Sequence, residues 1–244
     1  MIRIQQLNKS FGPLHAVRNL SLDVPAGELF CFLGPNGAGK TTTIKMLTGL
    51  MRPDSGTVHI GGYDIRTQTV DAKRIMGYIP DMPFLYEKLT PVEFLKFIAD
   101  LYNVPSSNLR LTIEDALKQF GLNDMRSALI GELSHGMRQR LLYVATFLHS
   151  PKVVFIDEPL IGLDPHSIRM IKNLLRAKTQ EGMTILLTTH ILALAEEIAD
   201  RIGIISNGSL IALGKMSDLR AQTGVEGKLE DVFLKLTESG NETA

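Results

Sequence analysis

Two periodicities divide the chain into an alternating part and a helical part. In residues 2–24 apolar and polar positions alternate, with turn residues at Phe11-Gly12-Pro13 and Pro25-Ala26-Gly27. This pattern predicts antiparallel strands. Residues 29–33 are apolar throughout, which predicts a strand buried on both faces. A Gly-rich turn then leads into a predicted helix over residues 40–47, which ends near Gly49.

The middle of the chain changes to helical spacing. Between residues 90 and 128 apolar residues recur at helical intervals and strand signals are few. After Ser150, apolar runs alternate with helical segments again, and Asn207-Gly208 predicts a hairpin between the last two strands. The elements predicted there are strands 153–156, 184–188, 202–205 and 210–213 and helices 165–178, 191–199 and 229–236. The pattern predicts an α/β core with a helical insertion.

Composition excludes only a few classes of protein. The chain has 244 residues, of which 44% are hydrophobic and 21% charged, as in ordinary globular proteins. Lys+Arg and Asp+Glu number 26 each, so bulk charge lends no support to nucleic-acid binding. The single cysteine, Cys31, has apolar neighbours that favour a core position. There is no signal-peptide pattern and no apolar run of about 20 residues, so we expect another subunit to span any membrane.

A phosphate-binding loop is the strongest chemical signal. The residues Gly34-Pro35-Asn36-Gly37-Ala38-Gly39-Lys40-Thr41 match its pattern between a predicted strand and a predicted helix. Glycines let consecutive N–H groups turn towards phosphate oxygens, and the helix N-terminus adds partial positive charge. We expect Lys40 to reach the β- and γ-phosphates, Thr41 to bind Mg²⁺, and Thr42 to complete the nucleotide-binding set. A chance match has a probability on the order of one in a hundred, and the strand–loop–helix context lowers it further.

A pair of carboxylates follows a second buried strand. Four apolar residues, 153–156, end in Asp157 and Glu158. At the carboxyl edge of a parallel sheet, Asp157 would hold Mg²⁺ through water and Glu158 would act as general base on the attacking water. Alone, such a pair is more often a strand followed by solvated acids. Together with the phosphate loop, it predicts a P-loop ATPase that uses ATP and Mg²⁺.

A third segment narrows the class of ATPase. The residues Glu132-Leu133-Ser134-His135-Gly136-Met137-Arg138-Gln139-Arg140 resemble the signature of ABC transporter ATP-binding subunits, usually LSGGQ followed by basic residues. Ser134 and Gly136 match that family's γ-phosphate contacts. In the family the helix that begins here meets the nucleotide held by the opposite subunit. The resemblance therefore implies a head-to-tail dimer, either a homodimer or a paralogous heterodimer, with two composite sites.

Other elements of that family follow in register. Gly162-Leu163-Asp164 resembles the D-loop at the dimer seam, and His190 resembles the switch histidine that contacts the γ-phosphate. Phe11 resembles the aromatic residue that stacks on adenine. The resemblance covers nearly the whole chain and implies a P-loop NTPase (RecA-like) fold. The expected domain spans residues 1–220 and is followed by a helical tail, 221–244. Within the domain, the core comprises about residues 1–85 and 150–215 and includes an N-terminal antiparallel β-subdomain. The helical subdomain comprises about residues 88–148.

Three positions depart from the family pattern. Asp81 stands where the family usually has Gln, so it can offer an oxygen to Mg²⁺ but adds negative charge near the phosphates. A carboxylate turned to solvent is an equal alternative. In the signature, His135 and Met137 replace the usual Gly and Gln. We therefore expect hydrolysis to persist but to be slow without the partner.

The leading interpretation is an ATPase subunit that powers transport through a separately encoded transmembrane permease. We expect it to be peripheral, on the cytoplasmic side of the cell membrane, without a nucleic-acid partner. Residues 227–234 resemble the tails of drug and polysaccharide exporter subunits, which favours export. Two alternatives remain: a soluble ABC ATPase in assembly or repair, and a regulatory module that binds ATP with little turnover. The presence of Glu158 and His190 weighs against the module.

Overall fold

A computed structural model describes residues 1–158, 160, 163–225 and 227–241 of the chain, with side chains to residue 237. Its strands are β1 (Ile2–Phe11), β2 (Leu14–Val24), β3 (Leu29–Leu33), β4 (Ser55–Ile60), β5 (Tyr63–Asp64), β6 (Met76–Ile79), β7 (Val153–Asp157), β8 (Thr184–Thr189), β9 (Arg201–Ser206) and β10 (Ser209–Gly214). Its α-helices are α1 (Lys40–Leu47), α2 (Thr69–Arg74), α3 (Pro91–Leu101), α4 (Leu109–Gln119), α5 (His135–Phe147), α6 (Pro165–Gln180), α7 (Leu192–Ile198), α8 (Met216–Thr223) and α9 (Leu229–Asn241).

The N-terminal alternation forms a four-stranded antiparallel sheet in the order β2-β1-β4-β5. Strands β1 and β2 pair from Ile2 opposite Val24 to Phe11 opposite Leu14, with irregular register between them. Seven apolar residues of this alternation are buried and pack with α1 into one core: Ile2, Ile4, Leu7, Val17, Leu20, Leu22 and Val24. The prediction of antiparallel strands here is confirmed.

A second, six-stranded sheet has the order β10-β9-β3-β8-β7-β6, in which only the pairing of the edge strand β10 is antiparallel. All residues of β3, β7 and β8 are buried, as the continuous apolar runs predict. Asn207 and Gly208 have φ of 48° and 79°, which suits the tight hairpin predicted between β9 and β10.

The insertion between the two halves of this sheet is helical, as predicted. Helix α3 begins with a capping box, in which Thr90 accepts from the Glu93 N–H and Glu93 accepts from the Thr90 N–H. Ser134 caps α5 by accepting from the Met137 N–H at 3.3 Å. The buried apolar faces of α3, α4 and α5 join the same core as residues of β3, β7 and β8. These features confirm the α/β class with an antiparallel sheet and a helical insertion.

Four elements were not predicted: β5, α2, β6 and α8. Helix α9 also extends to Asn241, beyond the expected end at residue 236, and α8 spans the predicted boundary after residue 220. Strand β6 has only four residues, Met-Gly-Tyr-Ile, which is too short for either periodicity to register. Within the described residues, no helix is both long and apolar enough to cross a membrane.

Strand register positions the candidate site. In the parallel pairs, Leu33 lies opposite Thr189 and Asp157 lies opposite Thr188. The carboxyl ends of β3, β8 and β7 therefore meet at one edge of the sheet. The phosphate loop, His190 and Glu158 each follow directly from one of these ends.

Candidate nucleotide-binding site

The phosphate loop joins β3 to α1 and packs tightly against neighbouring backbone. At Gly39, where φ is 103°, a Cβ would lie 2.3 Å from the Ala16 carbonyl oxygen. At Gly34 a Cβ would lie 2.4 Å from the Ile205 carbonyl oxygen. Only glycine permits these approaches without moving the backbone. The loop conformation therefore depends on the glycines that the sequence pattern singled out.

The Lys40 side chain is buried and spans this loop. Its ammonium donates to the carbonyl oxygens of Gly34 at 2.7 Å and Pro35 at 3.0 Å, and lies 3.6 Å from Glu158 Oε1. Because α1 begins at Lys40, the free N–H groups of its first turn face the same loop. Positive charge and N–H donors are thus concentrated where Asn36, Gly37 and Ala38 form the turn.

Asp157 is fully buried at the end of β7. It accepts a hydrogen bond from the hydroxyl of Thr188, and the Thr41 hydroxyl also lowers the pKa of this carboxyl. Burial raises the pKa of Asp157, the charges of Asp81 and Glu158 raise it further, and the hydroxyls of Thr188 and Thr41 act in the opposite direction. Its Oδ2 has no hydrogen-bond partner in the described structure. A buried, unpaired carboxylate oxygen beside the Thr41 hydroxyl fits a hard divalent cation such as Mg²⁺.

Glu158 and His190 lie in direct contact. His190 Nδ1 is 3.0 Å from Glu158 Oε1, the oxygen that also faces Lys40. Glu158 has a φ of 49°, a left-handed conformation that is rare for this residue type, and its N–H donates to the Thr188 carbonyl at 3.2 Å. Its Oε2 is buried without a hydrogen-bond partner. One carboxylate oxygen is therefore held in place while the other is free to accept a proton.

Asp81 follows β6, the edge strand beside β7. Ile79 lies opposite Ile156 at the end of this pairing, and Asp81 follows that end by two residues, as Glu158 does. Its carboxylate is partly fixed by the Met82 N–H, which donates to it at 2.8 Å. The side chain is exposed, but its charge raises the pKa of Asp157, an effect smaller than burial. Asp81 thus acts electrostatically on Asp157.

The signature residues lie on a different surface. Ser134 is exposed at the start of α5, and no hydrogen bond or ion pair in the described part of the chain joins Ser134 or Gly136 to the phosphate loop. Asp164 caps α6 by accepting from the Ser167 hydroxyl at 2.6 Å and N–H at 3.0 Å, which lowers the pKa of Asp164 to about 2. Gly162 lies outside the described residues. One chain therefore presents the Lys40 group and the Ser134 helix start separately.

Phe11 lies at the end of β1, where its ring is 47% exposed. The Lys9 ammonium lies 5.6 Å from the ring centroid, within the range of a cation–π interaction. An aromatic face that is half open to solvent can stack on a nucleobase.

Sequence reasoning missed two features of this site. One is the hydrogen bond from the Thr188 hydroxyl to Asp157, because the sequence marks Thr188 only as the end of a strand. The contact between Lys40 and Glu158 was not foreseen either. Both depend on β8 lying between β3 and β7, and the order of strands in a sheet is not a local sequence signal.

Comparisons with known proteins bear on this geometry. A family profile described as ABC transporter matches residues 17–161, which include the phosphate loop, the start of α5 and the acidic pair. The linearmycin resistance ATP-binding protein LnrL of Bacillus subtilis (strain 168) is 35% identical over 240 residues, 98% of this chain and 76% of the relative. The daunorubicin/doxorubicin resistance ATP-binding protein DrrA of Streptomyces peucetius is 38% identical over 223 residues, 91% of this chain and 68% of the relative.

A solved structure of an ATP-binding subunit of an ABC transporter superimposes with a TM-score of 0.92. It is 34% identical and covers 97% of this chain and 99% of its own. This likeness confirms the predicted P-loop NTPase (RecA-like) fold with its antiparallel sheet and helical insertion.

The packing of the phosphate loop predicts that Gly39→Ala abolishes nucleotide binding. The added methyl would overlap the Ala16 carbonyl oxygen at a positive φ, so the loop must shift. The matched control is Gly182→Ala, where φ is 96° but no atom lies within 4 Å of the new Cβ. We expect Gly182→Ala to destabilise folding by about 1 kcal/mol without changing ATP affinity. Calorimetric titration with ATP checks both variants, and equal affinities for the two would contradict this account of the loop.

Proposed function

The chain belongs to the ABC transporter family as an ATP-binding, ATP-hydrolysing subunit, and we propose that two copies hydrolyse ATP at shared sites to drive export through a separate permease. The observation that best supports this proposal is that Lys40 and His190 both contact one oxygen of Glu158. Lys40 Nζ lies 3.6 Å and His190 Nδ1 3.0 Å from Glu158 Oε1. This arrangement combines a phosphate-binding cation with a positioned general base.

We propose these roles for the residues around the triphosphate. The loop N–H groups and Lys40 bind the β- and γ-phosphates, and Phe11 stacks on adenine. Thr41 and Asp157 would hold Mg²⁺ with help from Asp81, and the cation would neutralise charge on the phosphate oxygens. The residues proposed to line the nucleotide are Phe11, Gly34, Pro35, Asn36, Gly37, Ala38, Gly39, Lys40, Thr41 and Thr42.

Glu158 supplies the base in this proposal. Its Oε2 accepts the proton of the attacking water, while His190 and Lys40 hold Oε1. A base kept in one orientation needs no rearrangement as the proton moves. His190 is partly exposed beside Glu158, so its free ring nitrogen can reach the γ-phosphate.

The second half of the site comes from the other copy. Ser134 and Gly136 begin a thirteen-residue helix whose N-terminus is open to solvent, a place that favours phosphate. Asp164 lies exposed at the start of α6, where the resemblance puts the dimer seam. Two chains arranged head to tail would each complete the other's site. A paralogous partner would serve as well as a second copy.

Exposed apolar residues after Asp81 support docking of a membrane permease. Phe84 is 85% exposed, and Tyr86 packs edge-on against Phe97 with ring centroids 5.7 Å apart. Apolar side chains grouped in this way on a surface favour a protein partner. The subunit would then be peripheral, on the cytoplasmic face of the membrane. The resistance functions named for LnrL and DrrA support export rather than assembly or repair.

Glu158→Gln tests the proposed chemistry. The substitution keeps the size of the side chain but removes the base, so we expect hydrolysis to fall by about 100-fold or more while ATP still binds. Phosphate release and ATP titration measure the two effects. Glu181→Gln, which removes an exposed carboxylate paired with Lys178, is the control and should hydrolyse normally. Equal rates for Glu158→Gln and the unsubstituted chain would favour a regulatory module instead.

Asp81→Asn tests the influence of this carboxylate on the metal. Because Asp81 is exposed, solvent weakens its repulsion of the phosphates, and we expect the effect on ATP affinity to be roughly three- to tenfold. We expect the variant to bind ATP more tightly without magnesium and to gain less when magnesium is added. Titrations in chelator and in excess magnesium give the ratio of the two ATP affinities, with Asp124→Asn as control. An unchanged ratio would mean that Asp81 faces solvent and has no part in binding.

A further inference from the structure

Arg138 connects the start of α5 to a part of the chain that precedes it by fifty residues. Its guanidinium donates to the carbonyls of Leu133 at 3.0 Å and Gly131 at 2.8 Å, and to Glu87 Oε1 at 3.1 Å. Three donors of one planar group are thus directed at the residues that lead into Ser134 and at Glu87. A side chain in the first turns of a helix reaches back towards the N-terminus in this way.

Backbone hydrogen bonds join the same two segments. The Gly131 N–H donates to the Glu87 carbonyl at 3.0 Å, and the Ile130 N–H donates to the Leu89 carbonyl at 2.9 Å. Gly131 lies so close that a Cβ would be 3.3 Å from the Glu87 carbonyl oxygen. Residues 86–89 form a turn closed by the Leu89 N–H and the Tyr86 carbonyl. Residues 130–133 are therefore held against this turn.

The turn lies between the two functional surfaces. Asp81, five residues before it, lies near enough to Asp157 to affect its charge, and Tyr86 within the turn contacts Phe97 on the exposed surface. On the other side, residue 133 is followed at once by Ser134, whose oxygen caps α5. A displacement of the turn would be passed to the residues before Ser134 through the two backbone hydrogen bonds and the Glu87–Arg138 contact.

We infer that Arg138 and Glu87 are positioning residues that set the location of Ser134 relative to the segment following Asp81. The inference rests on the proposed function, in which Ser134 contacts the nucleotide of the partner chain. A displacement of about 1 Å at such a contact is enough to lower activity by about 100-fold. The ion pair itself contributes little to folding, because Glu87 is 64% exposed and Arg138 28% exposed. Positioning and folding are therefore separable by experiment.

The test uses the full chain carrying Glu158→Gln, in which ATP persists because the base is absent. Arg138→Lys retains the positive charge but loses the planar set of guanidinium donors, and Glu87→Gln retains the size of the side chain but loses its charge. The control is the ion pair Arg110–Glu114 on α4, also 3.1 Å long, changed to Lys and Gln. Sedimentation with ATP and magnesium gives the dimer dissociation constant, thermal unfolding gives Tm, and nucleotide titration of dilute protein gives the monomer affinity.

We expect Arg138→Lys to weaken ATP-dependent dimerisation about tenfold or more, and Glu87→Gln by roughly threefold or more. Tm should move by less than about 3 °C, and monomer ATP affinity should stay unchanged. The two effects should not add in the double variant, because both substitutions disturb the same contact between Arg138 and Glu87. The control variants should dimerise like the parent.

Three results would overturn the inference. One is unchanged dimerisation in both variants. Another is a loss of dimerisation that occurs only together with a fall in Tm or in the ATP affinity of the monomer, because that result indicates a structural role. If Arg138→Lys does not fold, Glu87→Gln decides by the same criteria. The third is a parent chain that binds ATP but never dimerises, because the proposed shared site would then fail and the inference with it.

Discussion

The parallel pairing of β3, β8 and β7 is the constraint on which the rest of the structure depends. It places three strand ends side by side, with Leu33 opposite Thr189 and Asp157 opposite Thr188. The phosphate loop, Glu158 and His190 are adjacent only because each follows one of these ends. A slip of one residue in either pairing would turn every side chain of the slipped strand to the other face of the sheet and separate the charged groups.

The charged groups that meet there compensate one another only in part. A buried cation is tolerable when it is paired and hydrogen-bonded, and Lys40 has two carbonyl acceptors and Glu158. Asp157 and Glu158 each retain one buried oxygen without a partner. An unsatisfied buried polar atom costs about 1–3 kcal/mol. Two carboxylate oxygens of the site thus lack partners, as expected where a cation and the attacking water would supply them.

The sequence predicts most of this fold because its signals are local. Continuous apolar runs identified β3, β7 and β8, and the glycine spacing identified the phosphate loop. Strand β6 was missed because four residues carry no periodicity, yet it determines where Asp81 lies. The Thr188 bond and the Glu87–Arg138 contact join residues 31 and 51 positions apart, so they depend on tertiary arrangement. The role of Ser134 was proposed from resemblance alone, and its exposure in the chain is compatible with a partner's nucleotide.

The central claim is that each nucleotide lies between Lys40 of one chain and Ser134 of the other. It is tested most directly by mixing Lys40→Ala protein with Ser134→Arg protein and measuring ATP hydrolysis. Each variant alone damages both sites of its dimer, but a mixed dimer has one site built from an intact Lys40 and an intact Ser134. The account predicts that two inactive proteins recover hydrolysis when mixed. A mixture as inactive as its components, although mixed dimers form, would contradict it.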